Sequence, residues 1–248
     1  TEHITSEGYF TYMKDFKGGH NLNATAGYSF FERNGESFYA ENYNFEVEGI
    51  KYWDLGKGTF LSDGKAGMGS SKDITERLFS IYARANYSYN DKYMLSATIR
   101  HEGSSKFAAE NRWGNFWSVG GKWRLTGEDF LADNSTLTNA TLRASYGTVG
   151  NQEIDWYAAR GFYSAGYNYN QIPGMRPTSI ENRELTWEVS KKLDVGFDLS
   201  LINRINLGFD FYNEETSDAL FEVPLSMTTG LATTYQNIGK IRNRGIEF

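Results

Sequence analysis

The feature that most constrains the fold is the strict alternation of apolar and polar residues over positions 79–100, FSIYARANYSYNDKYMLSATIR. The pattern alternates, turns at Asn90-Asp91 and alternates again, which predicts a β-hairpin. Its apolar face also carries tyrosines 87, 89 and 93, all close to the turn. The opposite face carries Ser, Asn, Thr and Arg, and is too polar for the packed interior of a soluble barrel.

Seven further segments show the same period of two between glycine-rich or asparagine-rich breaks. With the hairpin they make about nine predicted strands, and helical periodicity of any length is missing. The fold class is therefore all-β. The seven segments are 7–14, 21–31, 115–125, 140–148, 185–199, 205–213 and 235–248.

The predicted connections alternate in length along the chain. Short ones lie at 15–20, 90–91, 126–137 and 201–204, and long ones at 32–76, 101–114, 149–184 and 214–234. All long loops would thus lie at one end of an antiparallel sheet. Short periplasmic turns with long extracellular loops are typical of an outer-membrane β-barrel. A soluble β-sandwich, the alternative, is expected to space its strands evenly.

A transmembrane barrel explains the aromatic residues of the alternating face. Amphipathic rings collect in girdles at both membrane interfaces. We predict that Tyr87, Tyr89, Tyr93 and Trp123 lie at the periplasmic edge and that Trp117 lies near the loop end. The polar face then lines a lumen, where Arg84, Arg100 and Arg143 either border the transport path or pair with acidic residues of a plug.

Lys191 conflicts with this pattern, because it shares the outward parity of Leu193 and Val195. A lysine at the bilayer midplane costs about 2–4 kcal/mol. Either the strand projects above the membrane at this point or a bulge turns the lysine away.

Residues that could support catalysis or bind a metal are sparse. The three histidines are scattered without metal-ligand spacing, and the chain has no cysteine. The net charge of −6 comes without a basic block, so no nucleic-acid partner is predicted. We predict no cofactor, no metal site and no enzymatic activity.

Residues 100–124, RHEGSSKFAAENRWGNFWSVGGKWR, resemble a family motif. The SusC/RagA-like TonB-dependent outer-membrane receptors of Bacteroidetes typically show R-x-D-G-S-S-R-F-G and then N-R-W-G-x-F-P-S-V-S-x-G-W-R. Here Glu102 replaces the Asp, Lys106 the second Arg, Ala108 the Gly and Trp117 the Pro. Further short matches follow in family order at 128–131, 142–147, 150–154, 185–188, 195–198, 209–212, 216–218 and 237–247.

The resemblance implies a 22-stranded barrel around an N-terminal plug in the outer membrane. Residues 1–248 would be part of this single barrel domain, truncated at both ends and without the plug. The implied function is active import of a large nutrient, with a glycan as the first expectation and an oligopeptide as the second. The implied partners are a SusD-like surface lipoprotein, membrane lipid and, through the plug, the TonB–ExbB–ExbD motor. An adhesin or structural barrel without transport is the alternative.

Aromatic residues in the predicted long loops are the candidate ligand contacts. Flat rings among Asn, Gln and Arg suit sugars and extended peptides equally, although such rings can also pack loops together. The candidates are Tyr52, Trp53, Trp156, Tyr157, Tyr163, Tyr167 and Tyr169.

Overall fold

A computed structural model describes residues 1–46, 49, 51–131, 134 and 136–248. Within these residues, thirteen strands form three antiparallel sheets. The strands are β1 (Glu2–Phe16), β2 (His20–Glu41), β3 (Gly67–Tyr89), β4 (Tyr93–Ser104), β5 (Trp113–Arg124), β6 (Leu137–Asn151), β7 (Tyr163–Tyr169), β8 (Ile172–Pro177), β9 (Glu188–Leu201), β10 (Ile205–Ser217), β11 (Leu220–Pro224), β12 (Thr233–Asn237) and β13 (Lys240–Glu247).

Nine of these strands form one large sheet in the order β1-β2-β3-β4-β5-β6-β9-β10-β13. The order of the strands in this sheet follows their order in the chain. The four remaining strands form two small separate hairpins. Those hairpins, β7–β8 and β11–β12, lie inside the long connections 152–187 and 218–239. The all-β prediction and the nine main strands are confirmed for the part of the chain that the structure describes.

The predicted alternation of short and long connections holds along the sheet with one exception, since the β5–β6 connection at 125–136 is longer than the β4–β5 connection at 105–112. The β3–β4 turn places Asn90 and Asp91 at φ 49° and 53°, the left-handed region that asparagine and aspartate tolerate best after glycine. We call the end of the sheet with the short connections the turn end, and the opposite end the loop end. At the loop end the strands extend further than predicted, since β2 runs to Glu41 and β3 begins at Gly67.

Two predicted strand boundaries are wrong. The segment 235–248 is two strands, because the chain leaves β12 at Asn237 and turns at Gly239, whose φ is 81°. The segment 185–199 begins its pairing only at Glu188, and Leu185 and Trp187 are instead buried. In both cases tertiary contacts at the loop end override a period-two pattern that continues through the break.

The strand register defines the two faces of the large sheet. Tyr93, Leu95, Ala97 and Ile99 of β4 lie on one face, which we call the outer face, and their partners on β5 are Trp123, Gly121, Val119 and Trp117. The opposite, inner face carries the predicted lumen residues Arg84, Arg100 and Arg143. The parity expected from the sequence thus holds through the hydrogen-bonded rows.

The register also resolves the conflict at Lys191. No bulge occurs along β9 at this residue, whose row partners on the outer face are Thr148 and Glu215. The next residue in that row is Arg242 of β13. A complete row of polar side chains supports the first interpretation, in which this part of the strand projects beyond the apolar band.

The polar boundary moves across the outer face from strand to strand. On β5 the apolar stretch continues through Trp117 toward the loop end, whereas on β10 polar residues begin at Asn213, one row closer to the turn end than Lys191. Barrel strands are tilted by about 35–45°, so residues of one hydrogen-bonded row lie at different heights. The shifted boundary is the pattern that such a tilt produces.

Within the described residues, helical structure is limited to short 3₁₀ turns at Lys51–Trp53, Leu55–Lys57, Thr59–Leu61, Leu125–Gly127 and Met227–Thr229. No helix in the described part of the chain has the length and apolar character to cross a bilayer.

Candidate binding surface at the loop end

The main hydrophobic core is a cluster in which loop residues pack against Phe116 of strand β5. We call it the loop core, and its buried members are Phe107, Phe116, Ile154, Ala159, Leu185 and Trp187. The Trp187 ring lies 5.4 Å from the Phe107 ring and 5.3 Å from the Phe116 ring, centroid to centroid. Its indole Nε1 donates a hydrogen bond to the Arg112 carbonyl at 2.9 Å. The core therefore joins the β4–β5 loop to the β6–β9 loop.

Phe116 attaches the loop core to the inner face of the sheet. It follows the parity of Arg100, its row partner on β4. Gly114 and Gly150 leave the space in which its ring lies, since a Cβ at either position would collide with the ring. The loops therefore fold toward the inner face and do not splay outward.

An ion pair attaches the same loops a second time. Lys106 Nζ lies 3.4 Å from Glu76 Oε1 of β3, and both side chains are about nine-tenths buried. Gln152 of the β6–β9 loop contacts both partners, because its backbone carbonyl accepts from Lys106 Nζ and its side-chain Nε2 donates to Glu76 Oε1, each at 3.5 Å. Because a buried charge without its partner is costly, this clamp fixes three chain segments relative to one another.

The serines of the motif close the β4–β5 loop. The Arg77 amide donates to Ser105 Oγ at 2.8 Å, and the Ser105 amide donates to the Arg77 carbonyl at 2.9 Å. The Ser104 amide donates to the Arg112 carbonyl at 3.2 Å, and its side chain is fully buried. The segment that carries the family resemblance is thus the structural base of the loops.

Two of the predicted ligand contacts also hold the loops in place. Tyr157 accepts a hydrogen bond from the Thr75 amide of β3 at 3.0 Å. Trp156 lies beneath the guanidinium of Arg33, whose Cζ is 5.2 Å from the ring centroid. Both rings are half-buried and border a cleft, so they combine a packing role with access to a ligand.

The other five predicted contacts are more exposed and are not brought together in one place. Tyr52 and Trp53 stack at 4.9 Å in the β2–β3 connection and remain largely exposed. Tyr163, Tyr167 and Tyr169 lie on β7, where Arg176 covers the Tyr167 ring at 4.4 Å. A ligand-binding role for all seven residues stays a prediction.

Two adjoining clefts lie at the loop end and include predicted ligand contacts in their lining. The larger, of about 700 Å³, is lined by Lys106, Arg112, Arg160 and Arg183 with Tyr163 among its other residues, and we call it the basic cleft. The smaller, of about 420 Å³, is the aromatic cleft, lined by Asp155, Trp156, Tyr157, Phe162, Glu222 and Tyr235 among others. Ser179 and Ile180 border both clefts.

The aromatic cleft has an acidic character at one side. Burial, reinforced by the nearby carboxylates of Asp155 and Glu222, raises the pKa of Tyr235 above its ordinary value of 10.0. Phe162 lies edge-on to Tyr157 at 5.9 Å. The sequence analysis did not predict four of the cleft residues, because nothing in the sequence indicates that distant loops meet. These residues are Tyr235, Arg112, Arg160 and Arg183.

The predicted lumen residues differ in their pairing. Arg143 bridges two acids of its own wall, with Nε 3.1 Å from Asp198 Oδ2 and Nη2 2.7 Å from Asp210 Oδ2. Arg100 pairs with Glu102 at 2.7 Å. Arg84 forms no ion pair within the described residues. Neither expected role, lining a path or pairing with a plug, is tested by these contacts.

Three of the predicted girdle residues, Tyr89, Tyr93 and Trp123, form a lateral row of rings at the turn end. Tyr89 stacks on Tyr93 at 6.3 Å and Tyr93 on Trp123 at 6.2 Å, while Tyr87 lies one row away. Glu128 accepts hydrogen bonds from the Tyr93 hydroxyl at 2.6 Å and the Trp123 indole at 3.0 Å. The rings thus carry polar tips toward the turn end, as interfacial aromatics require. Their position at the membrane interface stays a prediction.

Strand geometry refines the loop-side girdle. Trp113 lies ten residues from Trp123 on β5, about 33 Å along the strand at about 3.3 Å per residue. A tilt of about 40° reduces this to about 25 Å along the barrel axis, the usual height of the apolar band. Trp117 lies only about 15 Å above Trp123 by the same arithmetic. The height of Trp113 therefore fits the loop-side girdle better than that of Trp117. The Trp113 ring stacks on His101 at 4.7 Å.

These features define a class: a wall of antiparallel strands with an apolar outer face, a polar inner face and inward-folded loops at one end. The chain belongs to the TonB-dependent receptor-like β-barrel family, whose model matches residues 2–248. Proteins of this kind are outer-membrane proteins, so the outer face contacts lipid and the loop end is extracellular.

Among curated relatives, the chain is 37% identical to TonB-dependent receptor P3 of Formosa agariphila over its whole length, which is 25% of that receptor. It is 36% identical to TonB-dependent receptor SusC of Bacteroides thetaiotaomicron over 69% of the chain and 18% of that protein. The RagAB peptide importer in its closed-closed state superposes with a TM-score of 0.89 and 25% identity, covering 98% of this chain and 27% of that one. The chain thus spans about a quarter of the curated relatives that it matches throughout.

Proposed function

We propose that this chain forms barrel wall, lumen lining and extracellular binding surface of an active importer for a large nutrient. The inward-folded loops carry the proposal: two independent attachments, Phe116 and the Glu76–Lys106 clamp, hold clefts above the inner face of the sheet. A cargo captured there lies at the entrance of the lumen. No bond of the cargo is broken, so the protein is a transporter and not an enzyme.

The proposed cargo is a glycan or an oligopeptide. Aromatic rings bordered by charged and amide side chains suit either, and a relative named RagAB is a peptide importer. A SusD-like surface lipoprotein is the proposed lid, and TonB–ExbB–ExbD is the proposed source of energy, acting through a plug as in TonB-dependent receptors. The named relatives SusC and RagAB support this arrangement.

Native mass spectrometry of the detergent-extracted full-length receptor tests the proposal. We expect a co-purifying lipoprotein and a bound oligosaccharide or peptide. Uptake of the identified ligand by whole cells should stop when the proton gradient is collapsed, while surface binding persists. Binding without any energy-dependent uptake would instead assign the barrel to adhesion.

A further inference from the structure

The basic cleft combines an apolar floor with positive charge. Phe107 and Ala159 of the loop core border it, and both are at least 95% buried. Four basic side chains line it, whereas the chain as a whole carries a net charge of −6. Binding sites typically combine apolar walls with a few convergent polar groups of this kind.

Two of the four basic residues already have carboxylate partners. Lys106 pairs with Glu76, and Arg183 Nη2 lies 2.9 Å from Glu110 Oε1. Glu181, whose side chain lines the cleft, adds a weaker electrostatic attraction to that of Glu110, and both carboxylates raise the pKa of Arg183. The charges of Lys106 and Arg183 are therefore compensated within the protein.

Arg112 and Arg160 are different. Neither guanidinium has a carboxylate within 4 Å among the described residues. Arg112 Nε is buried and lacks a hydrogen-bond partner there, which is uncommon for a buried polar atom. Arg160 lies over the Tyr157 ring at 5.3 Å, which directs it toward the boundary between the two clefts. Arginine pairs preferentially with planar carboxylates through two parallel hydrogen bonds.

The lining of the aromatic cleft limits the class of ligand that can extend across both clefts. Beyond Ser179 and Ile180 the lining changes to aromatic rings and the acids Asp155 and Glu222. A polyanionic glycan lying across both clefts would place negative charge against these acids. An oligopeptide carries a carboxylate at one point and amides, apolar side chains or an ammonium group elsewhere, so it matches both halves.

We propose that Arg112 and Arg160 bind a carboxylate of an oligopeptide cargo, which extends across Ser179 and Ile180 into the aromatic cleft. This assignment rests on the proposed import function and selects one of its two cargo classes. Tyr163, 68% exposed at the border of the basic cleft, offers a ring for the residue next to the carboxylate.

The test uses the full-length receptor with its co-purified partner and a tryptic digest of casein as the probe. We expect retained peptides by native mass spectrometry, and about tenfold weaker retention when the carboxylates of the digest are amidated. Retention that amidation leaves unchanged would overturn the proposal. So would failure to retain the digest, with or without binding of oligogalacturonate, an acidic glycan.

Substitutions link the effect to the cleft. Arg160→Gln should weaken retention of the untreated digest about tenfold and leave the amidated digest unaffected, as a double-mutant cycle requires. Arg160 is exposed, so this variant keeps the test valid if Arg112→Gln disturbs the loop. Arg176→Gln, an exposed arginine on the neighbouring hairpin that lines neither cleft, is the matched control and should bind as the wild type does.

A cellular assay distinguishes failure of the import function from failure of the carboxylate site. If wild-type cells import neither casein peptides nor any glycan in an energy-dependent manner, the import function itself fails. If wild type and Arg160→Gln import the digest equally well, import stands and the carboxylate site is refuted.

Discussion

The spanning sheet and the loop core use apolar residues in opposite ways. Leu95, Ile99 and Val119 of the sheet are 57%, 57% and 47% exposed, whereas Leu185 and Trp187 of the loop core are 0% and 4% exposed. Six of the eight buried hydrophobic residues in the described chain belong to the loop core. Lipid therefore covers the apolar side chains of the sheet, whereas the apolar side chains of the loops are buried from water by packing against one another.

The comparison separates two kinds of stability. Substitutions in the loop core should loosen the extracellular surface and leave the barrel inserted, because the backbone hydrogen bonds of the strands do not depend on it. Substitutions on the outer face should affect insertion and leave the loops folded.

Trp187→Ala should have the largest effect on the loops. It removes the ring shared by Phe107 and Phe116, and truncations of this kind cost about 3–5 kcal/mol. Hydrogen exchange should increase in the β4–β5 and β6–β9 loops, while exchange in the strands stays slow. The exposed Trp53→Ala serves as the control, and equal exchange in both variants would refute a packed loop core.

Lys106→Met tests the clamp beneath the loops. It leaves Glu76 buried without its cation, at a cost of about 3–5 kcal/mol. The double variant with Glu76→Gln should recover much of that loss in a proteolysis assay of the loops. Lys72→Met, which breaks an exposed pair with Glu36, should change stability by less than about 1 kcal/mol. Comparable losses of stability in Lys106→Met and Lys72→Met would show that burial does not make the Lys106–Glu76 pair more important than the exposed one.

Val119→Arg tests the apolar band of the outer face. Val119 lies between the rows of Trp117 and Trp123, and an arginine facing lipid near the midplane costs about 2–4 kcal/mol. The equilibrium between unfolded and lipid-inserted receptor should shift by this amount in urea titrations in liposomes. Lys191→Leu is the companion variant: a position outside the band gains little, so stabilisation by about 2 kcal/mol or more would place Lys191 inside it.

The smallest effect concerns pH at the turn end. The Tyr93 hydroxyl above all, then the Trp123 indole, and then Lys92 lower the pKa of Glu128 below its ordinary value of 4.5. A lowered folded-state pKa adds stability above the unfolded-state pKa, and this is lost as pH falls through the folded-state pKa. The stability difference between wild type and Glu128→Gln should therefore be present at pH 7, shrink as pH falls below the ordinary glutamate pKa of 4.5, and disappear once the pH lies below the lowered folded-state pKa.

Asp129→Asn is the control for that titration. Asp129 is fully exposed next to Glu128, and its only ion pair in the described chain is a 4.0 Å contact with Lys92. Its stability profile should follow the wild type across the same pH range. A difference for Glu128→Gln that persists unchanged in acid would assign the effect to shape and not to charge.

Much of the fold could be predicted because its determinants are local. Period-two alternation assigned Leu95 and Val119 to one face and Arg84 and Arg143 to the other, and connection lengths placed all long loops at one end. The break at Gly239 was missed because period-two patterning continues through it. Trp187 likewise follows the outward parity of β9, yet its indole turns into the loop core.

The candidate site was only partly predictable. Aromatic content marked the loops, and Trp156, Tyr157 and Tyr163 do border the clefts. Nothing in the sequence distinguished Arg112 and Arg160 as site residues, because an arginine in a loop is ordinarily a solvated charge. Their position beside one cleft depends on a loop core whose members are separated by up to 80 residues.

The sequence by itself determined the nine main strands, the assignment of residues to the outer and inner faces of the sheet, and the family, since alternation and short motifs are properties of neighbouring residues. The tertiary structure alone decided that Phe107, Phe116 and Trp187 form a core, that Lys106 pairs with Glu76, and that two clefts of different charge share a border. Burial and ion pairing depend on which distant segments meet, and no local pattern encodes that contact.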